Sequence, residues 1–71
     1  MDLPHISGAE AVRALERAGF VFRSQKGSHR KLRHPDGRTA IVPMHRELAP
    51  GTLRSILKQA GLNVDELRDL L

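Results

Sequence analysis

Apolar positions recur along this 71-residue chain with two different periods, and the changes between them divide it into segments. Ala11, Val12, Ala14, Leu15 and Ala18 form one stripe at helical spacing. Ser7-Gly8-Ala9-Glu10 ahead of it reads as a capping box, in which the Ser hydroxyl accepts from the Glu10 amide while Glu10 reaches back. Gly19 is the C-terminal stop, so the spacing predicts a helix over about 8–18. A stripe made mostly of alanine lets that helix lie close against whatever it covers.

The period then falls to two. Phe20-Val21-Phe22-Arg23-Ser24-Gln25 alternates and is rich in β-formers, which predicts a strand with both Phe rings turned to the core. Gly27-Ser28 fits a two-residue hairpin loop, with Gly27 supplying the positive φ of a type II′ turn. His29 to His34 pairs back as a second strand. Pro35-Asp36-Gly37 is another turn, Arg38 to Val42 a third strand, and Pro43 ends the sheet. After a connector from Met44 to Ala49, Pro50 opens a helix in which Leu53, Ile56, Leu57 and Ala60 restore the helical spacing and Gly61 stops it. Asn63-Val64-Asp65-Glu66 is a second capping box, opening a short last helix with Leu67, Leu70 and Leu71 apolar. The order α-β-β-β-α with a short C-terminal helix predicts an α+β fold: a three-stranded antiparallel sheet with helices on one face.

Length confines this pattern to one domain, 1–71, and a chain so short buries only roughly 60% of its unfolded surface. With no cysteine, neither a disulfide nor a thiolate zinc site staples it. No apolar run approaches the ~20 residues of a membrane-spanning helix, and Met1-Asp2-Leu3-Pro4-His5 lacks a signal-peptide pattern, so the expected compartment is the cytoplasm. Charge changes the picture more. The net charge is +4, but Val21 to Arg46 holds seven Lys/Arg against one acid, Asp36, while the rest of the chain holds five basic and seven acidic groups. Such segregation is the footprint of a nucleic-acid binder; an anionic membrane surface or an acidic protein would leave the same footprint.

Strand alternation sorts the basic residues. His29, Lys31 and Arg33 share one face of the second strand; Arg30, Leu32 and His34 share the other. Leu32 marks the face that meets the helices, which leaves His29, Lys31 and Arg33 on the open side at roughly 7 Å spacing, suited to tracking a nucleic-acid backbone. The plainer reading is a solvated sheet face whose cations serve solubility and edge protection. The functional reading gains because His29 opens the row at a glycine turn, where backbone amides and an imidazole could converge on one phosphate. Imidazole trades protons near neutrality. Of the other histidines, His5 lies in a frayed N-terminus, His34 precedes Pro35 in a turn, and His45 sits in a loop as a weaker candidate. No HxxxH or HxH pattern is present, so no metal or other cofactor is expected.

Ala18-Gly19-Phe20, Gly27-Ser28-His29, Arg33-His34-Pro35-Asp36-Gly37-Arg38, Val42-Pro43 and the run from Pro50-Gly51-Thr52-Leu53 through Arg54-Ser55-Ile56-Leu57 to Leu62 resemble the HicA toxin family. The resemblance runs from about Ser7 to Glu66 and says little of the extension Met1–Ile6. It implies a double-stranded-RNA-binding-domain-like fold, in agreement with the element order above. It also implies an mRNA interferase that cuts messages and arrests growth, a HicB antitoxin that masks the site, and catalysis by the histidine of Gly-Ser-His, here His29. Arg30 stands where many relatives carry a second histidine. Lys26, Gly27, Ser28, Arg30, Lys31 and Arg33 are the candidate RNA-binding residues.

Two other classes compete. A non-catalytic RNA-binding module would use the histidine only as a donor to phosphate; the lack of Trp and Tyr argues against a stacking platform but not against backbone binding. A DNA-reading helix-turn-helix would need the last helix in a major groove, yet it carries Asp65, Glu66 and Asp69 against Arg68, the wrong sign. No direct DNA binding is expected.

Overall fold

The computed structural model describes residues 3–71. Six elements follow one another: α1 (Gly8–Arg17), β1 (Val21–Lys26), β2 (His29–Arg33), β3 (Thr39–Pro43), α2 (Pro50–Ala60) and α3 (Val64–Leu70). The strands form one antiparallel sheet in the order β1-β2-β3, so the α+β architecture is the one the periodicity predicts. Both capping boxes form: Ser7 and Glu10 exchange hydrogen bonds of 3.0 and 2.9 Å, and Asn63 and Glu66 exchange bonds of 2.8 and 2.9 Å. Pro50 opens α2 and Gly61 ends it in the left-handed conformation, where a Cβ would be strained.

The core lies on one side of the sheet. Leu32, Ala40 and Val42 point into it and are fully buried, packed with Ala11, Ala14 and Leu15 of α1 and Leu53, Ile56 and Leu57 of α2. Leu67 of α3 completes it. The alanine stripe brings α1 close, and its first residue comes closer still. A Cβ on Gly8 would collide with the Pro43 carbonyl oxygen and lie 2.9 Å from the Met44 Cα, so only glycine fits there.

Three expectations change. Phe20 is buried at 2% exposure but Phe22 is 51% exposed, because the helices lie under β2 and β3 and leave β1 uncovered along its whole length. The bounds of two strands shift: β3 runs Thr39–Pro43, not from Arg38 to Val42, with Pro43 as its last residue paired with His29, and His34 falls just outside β2. The stretch before α1 is also not frayed where it is described: Ile6 is buried, its carbonyl accepts from the Leu48 amide at 2.8 Å, and Leu3 packs against the core. Met1 and Asp2 of the expected extension lie outside the described residues.

Candidate functional site

The basic hairpin owes its shape to Gly27, whose φ of +59° is available to glycine at little cost. Ser28, like every other described non-glycine residue, keeps a negative φ, as a type II′ turn requires. The turn is braced from two directions. The Gln25 side chain donates to the Gly27 carbonyl at 3.1 Å and accepts from the Arg30 guanidinium at 2.9 Å. On the other flank the Met44 amide donates to the Ser28 carbonyl at 2.7 Å, and the next residue's carbonyl, His45, accepts from the Gly8 amide at 2.8 Å. His29 therefore starts β2 at a point tied to β3 and, through Gly8, to the first turn of α1.

Across the sheet, directly paired residues share a face, which arranges the open side in three rows: Lys26, His29 and Pro43; Ser24, Lys31 and Ile41; Val21, Arg33 and Thr39. A bulge makes the first two rows possible. Phe22 pairs with Leu32, yet Ser24 pairs with the very next residue, Lys31, so Arg23 is an extra residue in β1. The extra residue switches the parity of the strand. Phe22 stays on the helix side, while Ser24 and Lys26 turn to the open side beside His29.

The result is an open cavity of about 590 Å³ lined by Ser24, Lys26, His29, Lys31 and Ile41. It combines an imidazole, two ammonium groups, a hydroxyl and an apolar floor, with no carboxylate in the lining. Such a set suits an anionic ligand carrying an apolar part. Among the described residues, no three His, Asp or Glu side chains converge on a common point.

Of the residues singled out from the sequence, Lys26, His29 and Lys31 come together in the cavity, with Gly27 and Ser28 in the turn that joins Lys26 to His29 and Arg33 further along the same face. Arg30 is not brought to them. It projects from the opposite face, bonded to Gln25, with its guanidinium 5.7 Å from the centre of the Phe22 ring. Ser24 and Ile41 were not foreseen. Ile41 carried a signal, since Ala40 and Val42 are the buried residues of β3 and the apolar residue between them must face out.

The remaining histidines have other places. His5 is exposed, 3.9 Å from Glu47. His34 packs its ring edge-on against Phe20 at 5.3 Å and accepts at Nδ1 from the Asp36 amide at 3.1 Å, which makes it part of the β2–β3 turn. Asp36, the acid of the basic segment, is held in that turn as well: the Arg38 backbone amide, followed by its guanidinium, keeps the carboxyl below its ordinary range despite some desolvation. The side of the sheet that holds His29 is thus left to cations.

The family model of the HicA toxin of bacterial toxin–antitoxin systems matches residues 8–62. The chain belongs to the HicA toxin family. The match takes in α1, the whole sheet with its His29 cavity, and α2. No curated protein matches the chain. As a HicA toxin, it is the toxin of a toxin–antitoxin system.

Proposed function

We propose that this HicA toxin is an mRNA interferase that cleaves RNA at the His29 cavity without a metal ion. The observation that carries the reading is the company His29 keeps: an imidazole flanked on one open face by Lys26 and Lys31, above an apolar floor at Ile41. RNA supplies its own nucleophile. The 2′-oxygen attacks the adjacent phosphorus as the bond to the 5′-oxygen breaks, leaving a 2′,3′-cyclic phosphate and a 5′-hydroxyl. One proton leaves the 2′-hydroxyl and one arrives on the 5′-oxygen. His29 handles one of these transfers, and Lys26 and Lys31 neutralise charge on the phosphoryl oxygens, assisted by the Gly27 and Ser28 amides. Arg33 continues the backbone track. DNA lacks the 2′-hydroxyl and survives.

In the cell the substrate is message in the cytoplasm, the consequence is growth arrest, and a HicB-type antitoxin silences the toxin by covering the His29 face. The reading is tested by incubating labelled RNA with purified protein in EDTA. Cleavage with cyclic-phosphate ends is the expected outcome, and His29→Ala should lower the rate about 10²–10⁴-fold, the usual contribution of a positioned acid or base. RNA that is retarded on a gel but never shortened would mark a binding module instead. Undiminished cleavage by His29→Ala would remove that residue from the chemistry.

A further inference from the structure

A second cavity, of about 300 Å³, lies beyond the first at the outer edge of the sheet, lined by Val21, Phe22, Arg23, Arg33, His34 and Pro35. Nothing in the cleavage chemistry uses it. Its lining comes from both sides of the sheet, because Val21 and Arg33 pair on the open face while Phe22 pairs with Leu32 on the other. The bulge lies within it: Arg23, the extra residue of β1, is one of its walls.

The composition repeats that of the His29 cavity. There, two lysines and a histidine surround Ile41; here, two arginines stand beside Val21 and Phe22. Val21 and Phe22 are 58% and 51% exposed, Ile41 is 45% exposed, and these are three of the four large apolar side chains left open among the described residues. A solvated face kept for solubility has no use for apolar groups at those points. A nucleotide has both parts such a site would meet, a flat apolar base and an anionic phosphate. The Phe22 ring is also held ready. The Arg30 guanidinium lies over it, 5.7 Å from its centre, and is itself fixed by Gln25, so the ring is held in place from one side. Phe20, the other aromatic residue, is buried in the core.

Register sets the distance between the two cavities. His29 and Arg33 are four residues apart on one strand, which places them about 13 Å from one another along β2. An extended RNA strand lying on the open face reaches both while remaining one continuous ligand.

We infer that the cavity at the β1 bulge is a nucleotide subsite, in which Phe22 and Val21 receive a base beyond the dinucleotide at the cleaved bond and Arg23 and Arg33 hold its phosphate. The inference rests on the proposal that the His29 face binds RNA. It turns the β1 edge into a selector of substrate: the enzyme reads an unpaired base at a fixed distance from the bond it cuts, and a base kept in a duplex cannot enter.

The test separates binding from cleavage. Uncleavable 2′-O-methyl oligoribonucleotides, lengthened one residue at a time on either side of a fixed dinucleotide, are titrated by fluorescence anisotropy at constant salt. Affinity should rise about fivefold, the lower end of base–aromatic stacking, at the one added position that reaches the subsite. An abasic residue there should give only the smaller gain due to its charge. Phe22→Ala should abolish the difference between base and abasic residue, and Arg23→Ala should reduce the gain from the phosphate. Circular dichroism confirms that both variants fold. Equal gains from base and abasic residues, or a step that survives Phe22→Ala, would overturn the subsite. Cleavage of unmodified RNA is scored in parallel: a step in affinity without cleavage keeps the subsite and removes the nuclease, cleavage without a step does the reverse, and no binding removes both.

Discussion

β1 and β3 are the two outer strands of the same three-stranded sheet, and the protein treats them in opposite ways. β3 is covered. Ala40 and Val42 are buried under α1 and α2, and the outward amide of Ile41 donates to the Gln59 side chain at 2.9 Å, so a helix side chain stands where a fourth strand would pair. Every residue of β1 is exposed, and among the described residues no strand pairs beyond it. What protects it is the bulge at Arg23 together with its charge, two devices that discourage edge-to-edge pairing. The difference teaches how a small chain divides its labour. Burial on the β3 side supplies the stability, and the β1 side leaves its cations and the Phe22 ring exposed. The His29 cavity and the cavity at the β1 bulge both take lining from β1.

Substitutions on the two sides should therefore separate stability from binding. Leu32→Ala, under the helices, should cost about 2–5 kcal/mol in urea denaturation, whereas Phe22→Ala at the bare edge should cost less than about 1 kcal/mol. Similar losses for both would mean that β1 is structural, and the division would collapse. Lys31→Ala should leave the urea midpoint nearly unmoved but weaken RNA binding. The slope of log affinity against log salt should become shallower by about 0.7, the value of one single-strand phosphate contact. Gln59→Ala on the covered side should cost about 0.5–1 kcal/mol, with faster hydrogen exchange at Ile41; unchanged exchange would show that Gln59 does not guard that edge.

The smallest effect should come from Asp36 in the β2–β3 turn. Its carboxyl is held below the ordinary range in the fold, so the unfolded chain binds the proton more readily. The stability it contributes is present above the unfolded value of about 4 and is lost as pH falls through the lower folded value. Asp36→Asn should thus lower stability slightly near neutrality, change little at a pH below both values, and so flatten the acid limb of a stability–pH curve. An acid limb identical to that of the wild type would assign the sensitivity elsewhere, with Glu10 as the next group to examine, since its capping-box hydrogen bonds to Ser7 lower it in the same way.

Much of this molecule was legible in one dimension. Caps, glycine stops and the two periods are local signals, each produced by residues within a turn or a pleat of one another, and they determined the element order and the II′ hairpin. Alternation within β2 also placed His29, Lys31 and Arg33 opposite Leu32, since that strand has no irregularity. β1 needed the tertiary structure. Strict alternation from Phe20 would send Phe22, Ser24 and Lys26 to one face, while a two-residue turn at Gly27-Ser28 puts Lys26 beside His29 on the other. Both cannot hold in a regular strand. The bulge reconciles them, and it is settled by how β1 registers on β2, a relation between distant residues.

Helix coverage is non-local in the same sense. Phe20 and Phe22 look alike in the sequence, but the helices end their cover between them, so one ring joins the core and the other meets solvent. The chain by itself determined which residues could form the basic row. Packing decided that Ser24 and Ile41 would complete the His29 cavity, that Gln25 would hold Arg30 against the hairpin, and that β1 would stay uncovered, because each depends on what lies across the sheet and not along the strand.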